Sequence, residues 1–299
     1  MGRATVTPGL QALLAGLIDY AGLFPPASLP MAEAVARYAR YRRGEHAWML
    51  GRFIVSRPRL EEFASLAGDA AEASDWRVSV IASDDVDADA SAIDAFNARR
   101  TALIDTVEAK VAAAADVRRV AGVLPQALQL WFEVTPGEGP AFDATLAAIA
   151  ELGERGGAKL RTGGITADAI PPPDLVARFL IACVRAHVIC KATAGLHHPI
   201  RAPHRLTYAD DSAMALMHGF VNVFLAAALA QTGASAETLT ALLDERDPRH
   251  VVWQDDHVTW KGHRLDATAL ASARASFARS FGSCSFDEPI DDLHRLGWI

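Results

Sequence analysis

The feature that most constrains this chain is a rhythm: short apolar runs alternate with amphipathic stretches, and they do so eight times. The apolar runs predict strands over 15–19, 49–56, 76–82, 102–107, 128–135, 158–162, 188–193 and 281–286. Helical patterning falls between them, over 31–41, 58–67, 92–99, 115–123, 142–152 and 171–186, with a closing helix over 290–296. The helix at 171 opens on three prolines, which a first turn tolerates. Strands that alternate with helices pair in parallel through helical crossovers, and eight such units close into a (β/α)8 barrel. The expected fold class is therefore α/β, a TIM barrel.

The rhythm breaks once. Between the seventh and eighth expected strands the spacing is about twice that of a usual unit. The extra segment, about 203–266, reads as an insertion on the barrel: a helix over 210–231, another over 235–243 capped by Ser235, and a hairpin through Trp253 and Trp260. A helix over 267–279 leads back to the barrel. The tryptophans are expected to pack the insertion against the barrel or against another subunit, which leaves a homo-oligomer open. All of 1–299 is expected to form one barrel domain, a length that α/β barrels reach.

Composition excludes several classes. Hydrophobic residues make up 51% and charged residues 22%, an ordinary globular balance. A net charge of −7 argues against a nucleic-acid partner, because phosphate backbones select basic surfaces. The three cysteines, Cys183, Cys190 and Cys284, lack C-x-x-C spacing, so neither a disulfide framework nor a zinc site is expected, and a reducing, cytoplasmic setting is. The first fourteen residues do not read as a secretory leader, and Met1-Gly2 lacks the hydroxyl residue that a myristoylation signal requires. The apolar run over 220–230 is too short to span a bilayer, so no membrane partner is expected.

Side chains at the C-terminal ends of barrel strands line the active site in this architecture. The expected strands put Asp19, Asp105, Glu133, Lys159, Arg161 and Lys191 near those ends. Lysine is rarely buried without a partner or a task. Lys159 and Lys191 lie on adjacent strands inside apolar sequence, with Glu133 available as a partner. Two ammonium groups about 5 Å apart repel by roughly 3 kcal/mol at an effective dielectric of about 20. Such repulsion depresses one of them and yields the free amine that a Schiff base needs.

Several of these segments resemble deoxyribose-phosphate aldolases. Ile18-Asp19, with Leu23 and Pro26-Ala27, is similar to their opening strand and loop. Leu103-Ile104-Asp105-Thr106-Val107 resembles their fourth strand, and Trp131-Phe132-Glu133-Val134-Thr135 their fifth. Lys159-Leu160-Arg161-Thr162-Gly163 resembles the segment whose lysine forms the Schiff base, and Lys191-Ala192-Thr193-Ala194-Gly195-Leu196 the segment whose lysine tunes it. Gly282-Ser283 falls where that family turns around a phosphate. Each match is short; their shared order along the chain carries more weight. The insertion has no counterpart, and Arg161 stands where the family has a small hydroxyl residue, so the pocket floor is expected to differ in size and charge.

The resemblance implies a class I aldolase-type lyase that needs no metal and no cofactor. Lys159 would be the nucleophile and Lys191 its electrostatic partner, with exchanged roles open. Asp105 and Asp19 would move protons through water, and Glu133 would position a lysine. Arg161, His197, His198 and Arg201 form a basic group at the mouth of an otherwise acidic chain, suited to a small anionic carbonyl substrate or else a solvated loop. Gly282 and Ser283 could present backbone N–H groups to the anion, or simply turn. His218 and Asn222, four apart on the expected insertion helix, could reach the site or form a buried polar pair. Two rival readings stand beside the aldolase: a metal-dependent lyase or hydrolase built on His197, His198 and Glu133, and a non-catalytic barrel that binds an anionic metabolite.

Overall fold

In the computed structural model, which describes residues 6–68 and 73–299, eight parallel strands close into a barrel. In chain order these barrel strands are Ile18–Tyr20, Leu50–Ser56, Arg77–Ile81, Leu103–Lys110, Gln129–Glu133, Gly156–Arg161, Ile189–Thr193 and Ala278–Ser283. The last pairs with the first, Phe281 opposite Ile18, so no edge is left open. Helices cover the outside, as the sequence rhythm requires. The expected reading of Met1-Gly2 lies outside the described residues.

Two boundaries matter for the site. The fourth strand was expected to stop at Val107 but continues to Lys110, which carries Glu108 and Lys110 upward with it. The eighth begins at Ala278, three residues before the expected start, because the preceding helix Ala267–Ser276 ends short of Arg279. That helix is capped by Asp266, whose side chain accepts the Ala269 N–H.

The segment between the seventh and eighth strands departs from expectation at its start. In place of a helix over 210–231, the chain makes an antiparallel hairpin, Ala202–Arg205 against Met214–Met217, and the helix runs only from Phe220 to Gln231. Gly219 stands at the junction, packed so closely that a Cβ there would meet the Pro199 carbonyl at 2.4 Å. The helix Phe220–Gln231 is buried along nearly its whole length, which accounts for its unbroken apolar sequence. Phe220 stacks on Phe281 of the eighth strand at 5.3 Å between centroids, on one side. A second layer covers it on the other: the helix Ala236–Leu243 and a three-stranded sheet, Val251–Trp253, His257–Trp260 and His263–Asp266. Trp260 is buried and donates to Glu245 at 3.1 Å, and Trp253 packs edge-on against Trp298, so both tryptophans are used within the chain. No helix among the described residues is long and apolar enough to cross a membrane.

Candidate active site

Register sets the site. Lys159 lies opposite Lys191 on one side and Glu133 on the other, and Glu133 lies opposite Lys110. Residues level with one another on adjacent strands face the same way. Phe132, Leu160 and Ala192, one step along, therefore turn outward into the apolar layer under the helices. The inward faces meet in a chain of alternating charge. Lys191 Nζ donates to Asp19 Oδ2 at 2.7 Å and to Glu108 Oε1 at 2.8 Å. Lys159 Nζ donates to Glu108 Oε2 at 2.8 Å and lies 2.9 Å from Glu133 Oε2. Arg161 Nε then donates to Glu133 Oε1 at 3.2 Å.

This arrangement corrects the expected electrostatics. Glu108, absent from the sequence reading, stands between the two lysines and neutralises their repulsion. Burial alone would lower Lys191, but the charges and hydrogen bonds of Asp19 and Glu108 outweigh it and hold Lys191 above the ordinary lysine range. Burial likewise pushes Glu108 up, and both lysines overcome it and hold the carboxyl far below the usual range. Glu133 follows the same pattern: burial raises it, and Lys159 and Arg161 bring it below its ordinary value.

Above the chain of charges opens a cavity of about 880 Å³ at the C-terminal end of the barrel. Lys159, Glu108, Glu133, Arg161 and Lys110 form part of its floor and wall. Phe24, Pro25 and Pro26 from the first loop, and Leu206, Tyr208 and Met217 from the hairpin, add an apolar rim. Lys191 and Asp19 do not line the cavity; they sit beneath it, each about 1% exposed. Asp19 is fully engaged there, by Lys191, by the Ser280 hydroxyl at 2.7 Å and by the Arg52 N–H at 2.8 Å.

Asp105 is not part of the cavity. It lies three residues before Glu108, about 10 Å back along the strand, where Arg52 Nε donates to it at 2.7 Å. The expected proton shuttle at Asp105 is thus replaced by an ion pair near the opposite end of the barrel, and Glu108 is the carboxylate of this strand that meets the lysines. Arg201 is also displaced from its expected place: it is buried, bonded to Asp244 at 3.1 Å, and absent from the cavity. His218 and Asn222 are fully buried and turn away from the site. His218 Nε2 lies 2.7 Å from the Pro171 carbonyl, and Asn222 ties the Arg201 N–H to the carbonyls of Leu242 and Glu245.

The mouth is mixed in charge instead of basic. His197 and His198 both line it, but His197 Nδ1 is 2.7 Å from Glu288 and His198 Nδ1 is 2.5 Å from Asp292. Burial opposes the charge on His197, yet hydrogen bonds with Cys284 and Glu288 raise it to about 10. Burial lowers His198 below its ordinary value despite Asp292. His204 stacks on His198 at 3.3 Å and is pushed by burial down to about 4. Neither histidine following the seventh strand is paired with Glu133, and among the described residues no group of three or more histidine, cysteine, aspartate or glutamate side chains is arranged to hold a metal ion. Gly282 lines the cavity, whereas Ser283 is buried and its hydroxyl accepts the Ser285 N–H at 3.3 Å.

The residues missed from sequence are Glu108, Lys110, Tyr208, Cys284 and Glu288. Glu108 and Lys110 share the face of Thr106, one position off the face that Asp105 was expected to mark. Neither a known family model nor a curated protein matches this sequence.

Proposed function

We propose that this chain is a barrel enzyme of the aldolase type, a carbon–carbon lyase that holds a small anionic carbonyl compound on Lys159 as a Schiff base. One observation carries the reading: Lys159 is the lysine of the buried pair that lines the cavity, and two carboxylates lie within 2.9 Å of its amine to exchange its protons. The resemblance to the deoxyribose-phosphate aldolases points to the same residue.

The charge chain supplies a way to release the amine only when substrate arrives. Arg161 is half-exposed and holds Glu133. An anionic substrate drawn to Arg161 takes that guanidinium away, and Glu133, with one cation fewer beside it, becomes the stronger base. Lys159 passes a proton to Glu133 and attacks the carbonyl carbon. The carbinolamine loses water as the proton returns, leaving an iminium. The carbon–carbon bond beyond the α-carbon then breaks, its electrons passing to nitrogen as an enamine, while the departing fragment leaves as an aldehyde once its hydroxyl proton is taken up. Lys191 acts from below by sharing Glu108, so that this carboxylate does not pair with Lys159 alone, in place of the direct repulsion expected from sequence.

A second reading rests on the same charges. Each lysine is held by two carboxylates, and a barrel that binds an anionic metabolite without covalent chemistry needs no free amine. Borohydride reduction in a mixture of carbonyl metabolites, followed by peptide mass spectrometry, decides between them. The aldolase reading expects a reduced adduct on Lys159 that is absent from Lys159→Ala. Anion binding with no adduct at any pH would establish the binding module.

A further inference from the structure

The wall of the cavity formed after the eighth strand carries a second set of reactive groups that the lysine chemistry does not use. Cys284 Sγ lies 3.8 Å from His197 Nε2, and His197 Nδ1 lies 2.7 Å from Glu288 Oε2. All three side chains line the cavity. Tyr208, on the hairpin, donates to Glu288 at 3.0 Å and its oxygen is 3.8 Å from Cys284 Sγ. A carboxylate that orients a histidine, which in turn faces a thiol, is the arrangement that activates a cysteine nucleophile. The other two cysteines lack it. Cys183 and Cys190 are enclosed in the apolar layer, and burial pushes both thiols up, Cys190 to about 12.

We infer that Cys284, His197 and Glu288 form a covalent thiol site for an aldehyde, which they capture reversibly as a hemithioacetal. In the step, the sulfur electron pair forms a bond to the carbonyl carbon and the C=O π pair moves to oxygen; His197 passes its Nε2 proton to that oxygen and takes up the S–H proton of Cys284 in its place. The imidazole ends as it began, held in place by Glu288. Nothing leaves and no co-reactant is consumed, so the capture reverses by the same path. An acyl substrate would instead require a leaving group and donors for a tetrahedral oxyanion. The choice of an aldehyde rests on the lysine reading, since carbon–carbon cleavage on Lys159 releases one into this cavity; the thiol site itself does not. Gly282 lies level with Thr193, two residues above Lys191, and Cys284 lies two beyond that. The thiol is therefore on the order of 13 Å above the lysine floor along the strands, which places the two nucleophiles at opposite ends of one cavity.

The test uses iodoacetamide and glyoxylate labelled with 13C at its aldehyde carbon. In the folded protein, iodoacetamide is expected to label Cys284 and spare Cys183 and Cys190. His197→Gln should slow that labelling by about tenfold or more, while circular dichroism shows the fold retained. Glyoxylate should give a hemithioacetal carbon signal in the wild type and in Lys159→Ala, and none in Cys284→Ser. A signal that survives Cys284→Ser, or is absent from the wild type, overturns the proposal. Loss of the signal in Lys159→Ala alone also overturns it, because the aldehyde would then be held by the amine only. Failure of the Schiff-base reading looks different: no borohydride adduct on Lys159, with the thiol signal intact. If His197→Gln does not fold, Glu288→Gln serves in its place, and labelling at the wild-type rate in the folded variant counts against the triad.

Discussion

Glu108 and Lys159 meet at 2.8 Å, and the other oxygen of the same carboxylate holds Lys191 at 2.8 Å. One carboxylate thus fixes both lysines, with the Ser79 hydroxyl donating to it at 2.9 Å. Replacing it by an amide leaves two ammonium groups facing each other without the charge that joined them. Removing one partner of a buried ion pair costs about 3–5 kcal/mol. Glu108→Gln is expected to lose stability in that range, measured by denaturant unfolding. A loss within ~0.5 kcal/mol, the size of an ordinary surface change, would contradict the central place given to Glu108.

Lys191→Leu separates the nucleophile from the residue beneath it. Without Lys191, Glu108 has one ammonium left to neutralise and pairs with Lys159 alone. Borohydride trapping on Lys159 should therefore fall without being abolished. Lys159→Ala should show no trapping at any pH. The outcome that reverses the assignment is a reduced adduct found on Lys191 in Lys159→Ala.

Arg161 and Arg201 make a matched pair for the anion. Arg161 is half-exposed on the cavity wall, while Arg201 is buried against Asp244 and His218. A hydrogen bond to a charged group contributes about 1.5–3 kcal/mol, so Arg161→Ala should weaken binding of an anionic ligand by roughly tenfold to a hundredfold. Arg201→Ala should leave that affinity unchanged and lower the unfolding temperature instead. Calorimetric titration with a small oxoacid measures the first effect and thermal unfolding the second. Equal affinity loss in both variants would mean that the anion does not sit at Arg161.

The barrel was legible because its signals are local and periodic: apolar runs between amphipathic helices need no knowledge of distant partners. Lys159, Lys191, Glu133 and Arg161 were legible for the same reason, since two-residue periodicity and strand ends place them. Asp105 misled because it stands next to the true inward positions of its strand. The ladder shifts register between Val78 and Ser79, opposite Ile104 and Thr106, so Asp105 falls at the irregularity. A bulge of this kind leaves no mark in the hydrophobic pattern. The pairing of Cys284 with His197 and Glu288 joins residues that follow two different strands and one in the first turn of the closing helix, and the hairpin over 202–217 owes its form to long-range packing around Gly219. Neither has a periodic signature. The run that reads as helix over 210–231 contains good helix formers on both sides of that glycine, and tertiary contacts decide where the helix starts.

His197 offers a stability test that its neighbours make specific. Its proton is held by Glu288 and Cys284 against the cost of burial, so its folded value, about 10, lies above the ordinary histidine value of 6.5. A group raised on folding contributes stability that is complete below its unfolded value and is lost as pH rises through the folded one. The expected window therefore runs from pH 6.5 to about 10, with stability declining across it. In His197→Gln that decline should flatten, and the difference between the two proteins should be greatest at the acid end, where the histidine's charge is fully paired. Glu288→Gln should flatten it as well, since the carboxylate is one of the two groups that hold the proton. Urea unfolding measured at intervals across the window supplies the slopes. A wild-type slope equal to that of His197→Gln would show that the imidazole does not keep its proton in the folded chain, and the thiol would then face a neutral ring.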